Sequence, residues 1–586
     1  MLKRLLIPLV IFTVLGGLLA FDLALRGAAW RLFFELTGEE TPIAQFRGLV
    51  ELGSNLTRPP LNLALDAPVA HASANPYGIN TFLEQEVEIA KRARTLAMIR
   101  EAGFTWIRQQ FSWEDIEIHG RGDFTDRRNL DVTGAISAWD KYDNIVSLAE
   151  AHDVRIMARL DNPPAWSHAD PAIGSFAPPD DLQDYVNFAA AVAARYRGRI
   201  THYQVWNEPN IYPEWGEQPV SPEAYTEMLC RTYAALKAVD PQIVVITGAL
   251  APTLELSGRD LNDLIFLQRM IDAGAGACFD VLSAQAYGFF SAPTDRRTRP
   301  TTITFTRHRY LRDLLVANGL ADRAIWLSEA AWNPVDSPDV PADVSAREAY
   351  GAVTPEQAAA YMPMGYRLAN QDYPYLGVMF YWFFKRAADY ERGQSWYYFR
   401  MVEPDFTPMP VYAAMRDHIA RETPMLYRGT HPPDDWTITV PAAAAILPDD
   451  SAPFGYAVRL PTAEPLQVTV YGTDAAITLA GEGAAMIRSG GGGVRIVPLD
   501  SSGAGAAVTN PIQIDFGYTA GTHAISISVD PAAPESDVRV LAIRVGDATA
   551  ANLFRVFAIG IVPLTLVGAA VGVARWQRRR PNGTAS

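Results

Sequence analysis

The stretch HYQVWNEPNIYPEW, residues 202–215, indicates how this chain folds. It begins with a short strand candidate at 203–207, and the polar residue Glu208 follows directly after that strand. An amphipathic helix candidate at 222–239 comes next. A short strand, a polar turn and a helix make one β/α unit, so this part of the sequence predicts an α/β fold.

The same unit recurs along the chain from residue 75 to residue 424. Eight short strand candidates alternate with helix candidates, which is the pattern of a (β/α)8 TIM barrel. The strands are predicted at 77–80, 106–109, 155–160, 203–207, 243–247, 281–285, 325–328 and 378–382. The clearest helices are predicted at 86–102, 182–196, 222–239 and 355–368. The sequence therefore predicts one barrel domain at 75–424.

A change of composition after residue 424 indicates a second domain. Segments of alternating polarity at 466–471, 494–497, 512–516 and 523–529 are separated by Gly, Pro, Asp and Ser. Alternation with a period of two is typical of strands that bury one face. The pattern predicts a small antiparallel β-sandwich at 425–550.

The overall composition excludes some classes of partner. The chain has 586 residues with a formal net charge of -15, and its Lys and Arg residues are scattered, which argues against a nucleic-acid partner. Its nine His and two Cys show no paired ligand spacing, so we predict no metal site and no other cofactor. Cys230 and Cys278 are interpreted as two buried thiols, with a disulfide as the alternative.

Both ends of the chain are strongly hydrophobic. An uncharged run at 5–21 behind two cations predicts a signal anchor with an interfacial helix, together residues 1–40, and a cleaved signal peptide is the alternative. Residues 41–74 predict a linker. A transmembrane helix is predicted at 553–576 and a basic cytoplasmic tail at 577–586. Positive residues beyond both segments predict cytoplasmic termini, with the domains between them on the extracytoplasmic side of the cell membrane.

Two carboxylates follow predicted barrel strands. Glu208 follows the fourth strand and Glu329 the seventh, and the active sites of such barrels lie at the carboxyl ends of the strands. Cleavage of a glycosidic bond with retention needs one carboxylic acid to protonate the leaving oxygen and one carboxylate to attack the anomeric carbon. In retaining enzymes these two groups lie about 5 to 5.5 Å apart. The pair predicts this chemistry, whereas surface or salt-bridging carboxylates are the alternative.

The pentapeptide WNEPN at 206–210, together with a second glutamate after strand seven, resembles the 4/7 superfamily of glycoside hydrolases, clan A. Within it, residues 202–215 most resemble family 39, which includes β-xylosidases and membrane-associated endoglycosidases that accompany exopolysaccharide machinery. The resemblance covers residues 75–420. Relatives often carry Gly before the tryptophan of the seventh-strand motif, and here Ala331 precedes Trp332.

The resemblance implies roles for five residues. Glu208 is the acid/base, Glu329 is the nucleophile, and Asn207 would hold the sugar 2-hydroxyl. Arg108 would lie beside Glu329 and keep it ionised, and Tyr287 would hydrogen-bond the same carboxylate. The pKa of Glu208 has to rise, by burial or by a neighbouring negative charge, so that this residue holds a proton. For Arg108 and Tyr287, a structural ion pair and a packed core residue remain alternatives.

Aromatic residues near the same strand ends form a second set of candidates. Flat aromatic rings bind the apolar faces of sugars while polar groups take the hydroxyls. Trp382, at the end of the eighth strand, is the main candidate to hold the attacked sugar. The other substrate-binding candidates are Trp113, Trp166 and Trp332.

Together these features predict a retaining glycosidase that hydrolyses β-glycosidic bonds of a poly- or oligosaccharide outside the cell membrane. A transglycosylase is one alternative, because the same glycosyl-enzyme can pass its sugar to another hydroxyl. A non-catalytic glycan-binding or assembly protein of an exopolysaccharide system is another, since resemblance of fold alone would give the same signal. The presence of both carboxylates and Asn207 argues against this last reading.

Overall fold

The computed structural model describes residues 2–55, 57–490, 493–499 and 510–556. The chain divides into two compact units, Met1–Ala64 with Val69–Glu422 and Leu65–Pro68 with Thr423–Ser586. The first unit contains a closed parallel barrel, and the second contains an antiparallel sheet. The division lies close to residue 424, where the composition of the sequence changes.

Three helices precede the barrel in the first unit. They are α1 Leu2–Ala24, α2 Ala28–Thr37 and α3 Pro42–Asn55. The α3 helix lies within 41–74, where the sequence predicts a linker, so the structure corrects that prediction. The helix packs closely on α2, because a Cβ added to Gly48 would lie 2.8 Å from the Thr37 side chain. Its inward face is made of small and polar residues, Gln45 and Gly48, rather than of apolar side chains.

Eight strands form the barrel: β1 Tyr77–Thr81, β2 Trp106–Ser112, β3 Arg155–Asp161, β4 His202–Asn207, β5 Val244–Ala249, β6 Val281–Gln285, β7 Ala324–Ala330 and β8 Leu376–Tyr381. They close in the order β1-β8-β7-β6-β5-β4-β3-β2. Every residue of β5 to β8 is buried. Parallel strands covered on both faces are expected to be apolar throughout, and the predicted (β/α)8 barrel is confirmed.

A helix follows each barrel strand: α4 Ile89–Glu101, α5 Asp140–Ala151, α6 Leu182–Arg195, α7 Pro222–Val239, α8 Asp263–Asp272, α9 His308–Ala317, α10 Pro355–Asp372 and α11 Pro410–Arg421. The sequence sets several of the starts. Ser221 Oγ accepts a hydrogen bond from the backbone N–H of Ala224 at 3.2 Å at the start of α7. Thr354 and Gln357 cap each other at the start of α10.

Short elements occupy the loops of the barrel. They are the helical turns Trp113–Ile116 and Leu130–Thr133, the hairpin of Thr125–Asp126 with Ile136–Ser137, and the 3-10 turns Leu83–Gln85, Ala165–Ser167, Pro171–Ile173, Ala275–Ala277, Phe305–Arg307 and Ser395–Phe399. Most of them follow the carboxyl ends of strands, where they build the rim of the barrel mouth.

A disulfide joins Cys230 of α7 to Cys278, which lies after α8, with Cα atoms 4.8 Å apart. The interpretation as two buried thiols is therefore wrong. The two cysteines are 48 residues apart in the sequence, and only the neighbouring positions of the two helices around the barrel bring them together.

The described part of the second unit contains nine strands and one helix: β9 Gly429–His431, β10 Ala445–Pro448, β11 Tyr456–Arg459, β12 Leu466–Gly472, β13 Asp474–Ser489, β14 Gly493–Leu499, β15 Ile512–Asp515, β16 Gly521–Val529, β17 Asp537–Gly546 and α12 Thr549–Val556. The long strand β13 pairs with β17 along its first part and with β14 and β16 along its last part. Side chains from both sets of strands share one apolar core. The predicted antiparallel domain is confirmed.

The sequence predicts a membrane segment at each end of the chain. Among the described residues, no single helix is both long and apolar enough to cross a membrane. One bent pair, Thr13–Ala24 with Ala28–Thr37 at an angle of 70°, meets that requirement by length and composition. The predicted segment at 553–576 lies beyond Val556, the last described residue, for most of its length, and the tail at 577–586 lies outside the described residues.

Candidate active site

The end of β4 has an unusual backbone. Trp206 and Glu208 have φ values of +73° and +39°, a region that side-chain-bearing residues rarely adopt. Two hydrogen bonds hold this conformation: the Glu208 N–H donates to the Ala249 carbonyl at 3.0 Å, and the Trp206 indole N–H donates to the Glu214 carbonyl at 2.7 Å. Backbone strain of this kind concentrates at functional sites, and here it positions the side chain of Glu208.

Glu329, near the end of β7, is buried and accepts two hydrogen bonds. Arg108 Nη1 donates to Oε1 at 2.8 Å, and the Tyr287 hydroxyl donates to Oε2 at 2.5 Å. A carboxylate accepts at both oxygens, so two converging donors match its charge and geometry. The structure thus brings Arg108 and Tyr287 to the carboxyl group beside which the sequence places them.

Arg108 of β2 connects this carboxyl group to the rest of the barrel mouth. Its Nε donates to Gln204 Oε1 at 2.7 Å, and its Nη1 also donates to Asn80 Oδ1 at 3.0 Å. Its Nη2 donates to Asn207 Oδ1 at 2.7 Å. Because a guanidinium presents its donors in one rigid plane, Arg108 orients Glu329 and Asn207 together.

The Glu208 carboxyl group, unlike that of Glu329, lies near two other carboxyl groups. Burial raises the pKa of its carboxyl group well above the ordinary value, and the negative charges of Glu329 and Glu214 raise it further. A hydrogen bond from Gln285 Nε2 to Glu208 Oε1 at 2.9 Å and the charge of Arg108 act in the other direction. A raised pKa keeps a carboxyl group protonated to higher pH than usual, which suits general-acid chemistry.

Tyr287 follows β6 and remains a donor. Burial raises the pKa of its hydroxyl well above the ordinary value, and the charges of Glu329 and Glu208 raise it further. The hydroxyl therefore keeps its proton and continues to donate to Glu329.

A third carboxyl group, Glu214, lies in the loop after β4. Burial raises its pKa to about 7, the charges of Asp161 and Glu329 raise it, and Arg159 and a hydrogen bond with Asn207 lower it. This group titrates near neutrality beside the two candidate catalytic residues. Sequence reasoning missed it although it lies inside the stretch 202–215, where a glutamate between Pro213 and Trp215 was the available signal.

Three buried amide side chains were also missed. Asn80 Nδ2 donates to the Ser328 carbonyl at 2.8 Å, and Gln204 Nε2 donates to Ser283 Oγ at 3.0 Å. Gln285 is the only described donor of a side-chain hydrogen bond to Glu208. The signal that could have found them is a polar side chain inside an otherwise apolar strand, because such a residue needs a partner when it is buried.

Two of the predicted sugar-binding tryptophans keep part of their rings open to solvent. Trp382 follows β8, is partly exposed and lies with its ring centre 5.6 Å from that of Phe82. Its peptide bond to Phe383 is cis. Trp166 is partly exposed as well, and its indole N–H donates to the Glu117 carbonyl at 2.6 Å.

The other two predicted tryptophans are packed inside the protein, which corrects the prediction that they bind sugar. Trp113 has no exposed surface and stacks on Phe188 with ring centres 5.3 Å apart. Trp332 is 1% exposed, and its indole N–H donates to the Ser291 carbonyl at 2.7 Å. A ring enclosed on both faces offers no surface to a ligand. The sequence gives only their distance from a strand end, and helix packing decides which way each ring points.

Other parts of the described chain offer different sets of groups. In the described ranges, no group of three or more His, Cys, Asp or Glu residues is arranged to hold a metal ion. The antiparallel unit has a cavity of about 710 Å³ lined by residues that include Trp436, Gln467, Arg488 and Ser526, and no carboxylate lines it. A second cavity of this unit, of about 460 Å³, is lined by two carboxylates, Asp474 and Asp515, and by no cationic residue.

Comparison with protein families gives one match. The model of the family described as Cellulase (glycosyl hydrolase family 5) matches residues 66–315. This range includes Arg108 and Glu208 but ends before Glu329, and it spans less than half of the chain. The match confirms the resemblance to clan A glycoside hydrolases that WNEPN predicts. No curated protein matches the chain.

Several solved structures are similar to the chain. A family 39 glycoside hydrolase from the gut symbiont Bacteroides cellulosilyticus WH2 is 18% identical with a TM-score of 0.44, over 80% of this chain and 84% of that chain. A monomeric beta-xylosidase from Caulobacter crescentus CB15 is 14% identical with a TM-score of 0.42, over 80% of this chain and 99% of that chain. A GH5_18 protein from Streptomyces cattleya, in complex with GlcNAc, is 17% identical with a TM-score of 0.43, over 62% of this chain and 83% of that chain. Similarities at this level say nothing about substrate or residue roles.

Proposed function

We propose that the barrel is a retaining glycosidase that cleaves β-glycosidic bonds by double displacement. The observation that carries the proposal is the contrast between two carboxyl groups at one barrel mouth. Glu208 has a raised pKa because of burial and the charge of Glu329, whereas Glu329 accepts hydrogen bonds from Arg108 and Tyr287. One group therefore suits proton donation and the other suits nucleophilic attack.

In the first step, Glu208 gives its proton to the glycosidic oxygen while Glu329 attacks the anomeric carbon. The bond between that carbon and the oxygen breaks, the leaving group departs as an alcohol, and an ester forms between Glu329 and the sugar. Glu208 is left ionised. The Arg108 and Tyr287 donors hold the nucleophile in one orientation, so attack needs little rearrangement of the side chain.

In the second step, the ionised Glu208 takes a proton from water, and the oxygen of that water attacks the anomeric carbon. The ester bond breaks, Glu329 leaves as a carboxylate, and the sugar keeps its original configuration. Formation of the ester removes the charge of Glu329, which is one cause of the raised pKa of Glu208. The pKa of Glu208 is therefore lower in the intermediate, and the residue changes from acid to base.

Two further residues would contact the sugar. Asn207 Oδ1 accepts from Arg108 at 2.7 Å, so its amide NH2 group is the part that would donate to the 2-hydroxyl. Trp382 is partly exposed at the end of β8 and would support the apolar face of the attacked sugar. Trp166 is the second open ring and would extend this surface.

We further propose that the barrel acts on the extracytoplasmic side of the cell membrane, on a poly- or oligosaccharide and in association with exopolysaccharide machinery. The Cys230–Cys278 disulfide supports an oxidising compartment. The cation-flanked hydrophobic segments at 1–40 and 553–576 support a membrane anchor at each end.

The test is turnover of a panel of aryl β-glycosides and β-glycans by the full chain in detergent, led by β-xylosides because of the family 39 resemblance. NMR of the first-formed sugar should show retention of the anomeric configuration. A fluorosugar with a good leaving group should accumulate as an ester on Glu329, detected by mass spectrometry of its peptide. Inversion at the anomeric carbon would refute the mechanism. Binding of glycans without turnover across the panel would instead favour a glycan-binding role.

A further inference from the structure

The α3 helix has a polar inner face. Gln45 of α3 has no exposed surface, and its Nε2 donates to the Trp30 carbonyl at 3.2 Å. Gly48, also buried, lets the two helices approach closely against Thr37. The inner face of α3 is therefore made of an amide and a glycine.

The outward face of α3 carries large apolar residues. Ile43, Phe46 and Val50 are 79%, 70% and 63% exposed. Their spacing of three and four residues places them in one stripe along the helix. A helix that faces water normally shows the reverse arrangement, with apolar residues inside and polar residues outside. The orientation of α3 thus suits surroundings that are less polar than water.

The apolar surface continues into the neighbouring helices. Val14, Leu18 and Phe21 of α1 are 55%, 60% and 65% exposed. Leu25, directly after α1, and Leu32 of α2 are 67% and 57% exposed. The exposed residues of this region are therefore predominantly apolar over three consecutive helices, and the first of them belongs to the hydrophobic run at 5–21.

Cations accompany this surface. Arg31 and Arg47 are exposed on α2 and α3, and neither forms an ion pair among the described residues. Glu35 of α2 is exposed as well and forms no ion pair among the described residues, so the exposed unpaired charges of these two helices are two cations and one anion. Arginines that flank an apolar helix face are suited to anionic lipid headgroups.

The helix pair is firmly attached to the barrel. Arg297, after β6, forms ion pairs with Glu39 at 2.8 Å, with Glu51 at 3.1 Å and with Asp295 at 2.7 Å. Thr294 Oγ1 donates to the Phe34 carbonyl at 2.8 Å. A network of several charges around one partly buried arginine is more rigid than an isolated surface pair.

We propose that Ile43, Phe46 and Val50 of α3 lie in the interface of a lipid bilayer, with Arg31 and Arg47 against anionic headgroups. The barrel is then held at the membrane surface in one orientation, because the Arg297 network ties α3 to it. In this proposal α3, within the predicted linker at 41–74, is a rigid attachment. The inference rests on the proposed membrane location of the protein.

The experiment places one fluorescent probe on the full chain in vesicles of phosphatidylcholine and phosphatidylglycerol. Both native cysteines form a disulfide, so a single introduced cysteine is labelled alone. The probe is a polarity-sensitive dye on Phe46→Cys, and some lipids carry a nitroxide quencher near the headgroup. We expect blue-shifted emission and about a twofold loss of intensity, since an interfacial helix buries its apolar face roughly 5–10 Å into the boundary.

Two further cysteine variants distinguish a wrong placement of α3 from a wrong membrane location of the protein. Val132→Cys, at an 86% exposed apolar residue of a barrel loop, should give water-like emission without quenching. Val14→Cys reports on α1 and is read with a nitroxide along the lipid acyl chain, because residue 14 lies near the middle of the hydrophobic run at 5–21. Quenching at 14 but not at 46 would leave the membrane location intact and overturn the inference for α3. No quenching at 14 would refute the location itself, and glycosidase activity is measured independently of both. Blue-shifted emission at 46 without lipid quenching would mean that protein covers the stripe, which also overturns the proposal.

Discussion

The carboxyl ends of β7 and β4 each present one glutamate, and the two side chains have different surroundings. Glu329 receives a guanidinium donor and a hydroxyl donor. Glu208 receives one amide donor, and the carboxylates Glu329 and Glu214 raise its pKa. The same amino acid is thus prepared for two chemical roles by what lies around it. The variants below alter one side of this comparison at a time.

Removal of the Glu329 charge should have the largest effect on kcat. Glu329→Gln deletes the nucleophile, and we expect kcat on an aryl β-glycoside to fall by about 10⁴-fold or more. Glu227→Gln, at a surface position of α7 that is half exposed, is the control and should leave kcat unchanged. Activity of Glu329→Gln within tenfold of the parent would mean that another residue is the nucleophile.

The effect of replacing Glu208 on activity should depend on the leaving group of the substrate. Glu208→Gln removes the proton donor, and we expect a loss of about 10²- to 10⁴-fold for a poor leaving group. A dinitrophenyl glycoside needs no protonation, so its glycosylation step should be much less affected. Equal losses for both substrates would contradict the acid role.

The same variant also tests the raised pKa through stability. The folded state holds the Glu208 proton above the ordinary pKa of a glutamate, so it binds more protons than the unfolded state. Stability is therefore lost as pH rises from that ordinary value through the folded pKa. Glu208→Gln carries no charge, and we expect a higher Tm than the parent at neutral pH but not at acidic pH. An unchanged difference between the two proteins across this range would show that the pKa is not raised.

Replacement of the Arg108 guanidinium should weaken the hydrogen bonding of Glu329 while a positive charge remains beside it. In Arg108→Lys an ammonium replaces the planar group that bonds Glu329 and Asn207, and loss of about 3 kcal/mol of hydrogen bonding predicts a decrease in kcat/KM of about 10²-fold. Arg231→Lys on the surface of α7 is the control. Full activity of Arg108→Lys would show that charge alone is sufficient.

Loss of the hydroxyl donor should have a smaller effect. Tyr287→Phe removes one hydrogen bond to a charged group, worth about 1.5–3 kcal/mol, so kcat should fall about 10- to 100-fold. Tyr518→Phe, at a 79% exposed tyrosine of the second unit, serves for comparison. A normal kcat in Tyr287→Phe would assign this residue to packing only.

The smallest expected effect concerns the pH profile. Glu214→Gln removes a negative charge that raises the pKa of Glu208, so the basic limb of kcat/KM should move to lower pH. The shift is measured with an aryl glycoside whose own ionisation does not interfere. An unmoved limb would show that Glu214 has no electrostatic influence on the acid.

The sequence predicted the barrel because its signals are local. Strand and helix patterns depend on neighbouring residues, and the capping residues Thr354 and Gln357 are only three positions apart. Once the strands are known, their carboxyl ends identify Glu208 and Glu329 as candidates. The tryptophans were harder, because a position near a strand end does not say whether a ring is open, as in Trp382, or enclosed, as in Trp113.

By itself the sequence determined the order of β/α units and the two glutamates at their ends, since both follow from short-range periodicity. Only the tertiary structure decided how the glutamates differ. Arg108 reaches Glu329 across 221 positions of the chain, and Gln285 reaches Glu208 across 77. The pKa of a carboxyl group depends on burial and on charges through space. Distances of that kind are set by closure of the barrel, and no local pattern contains them.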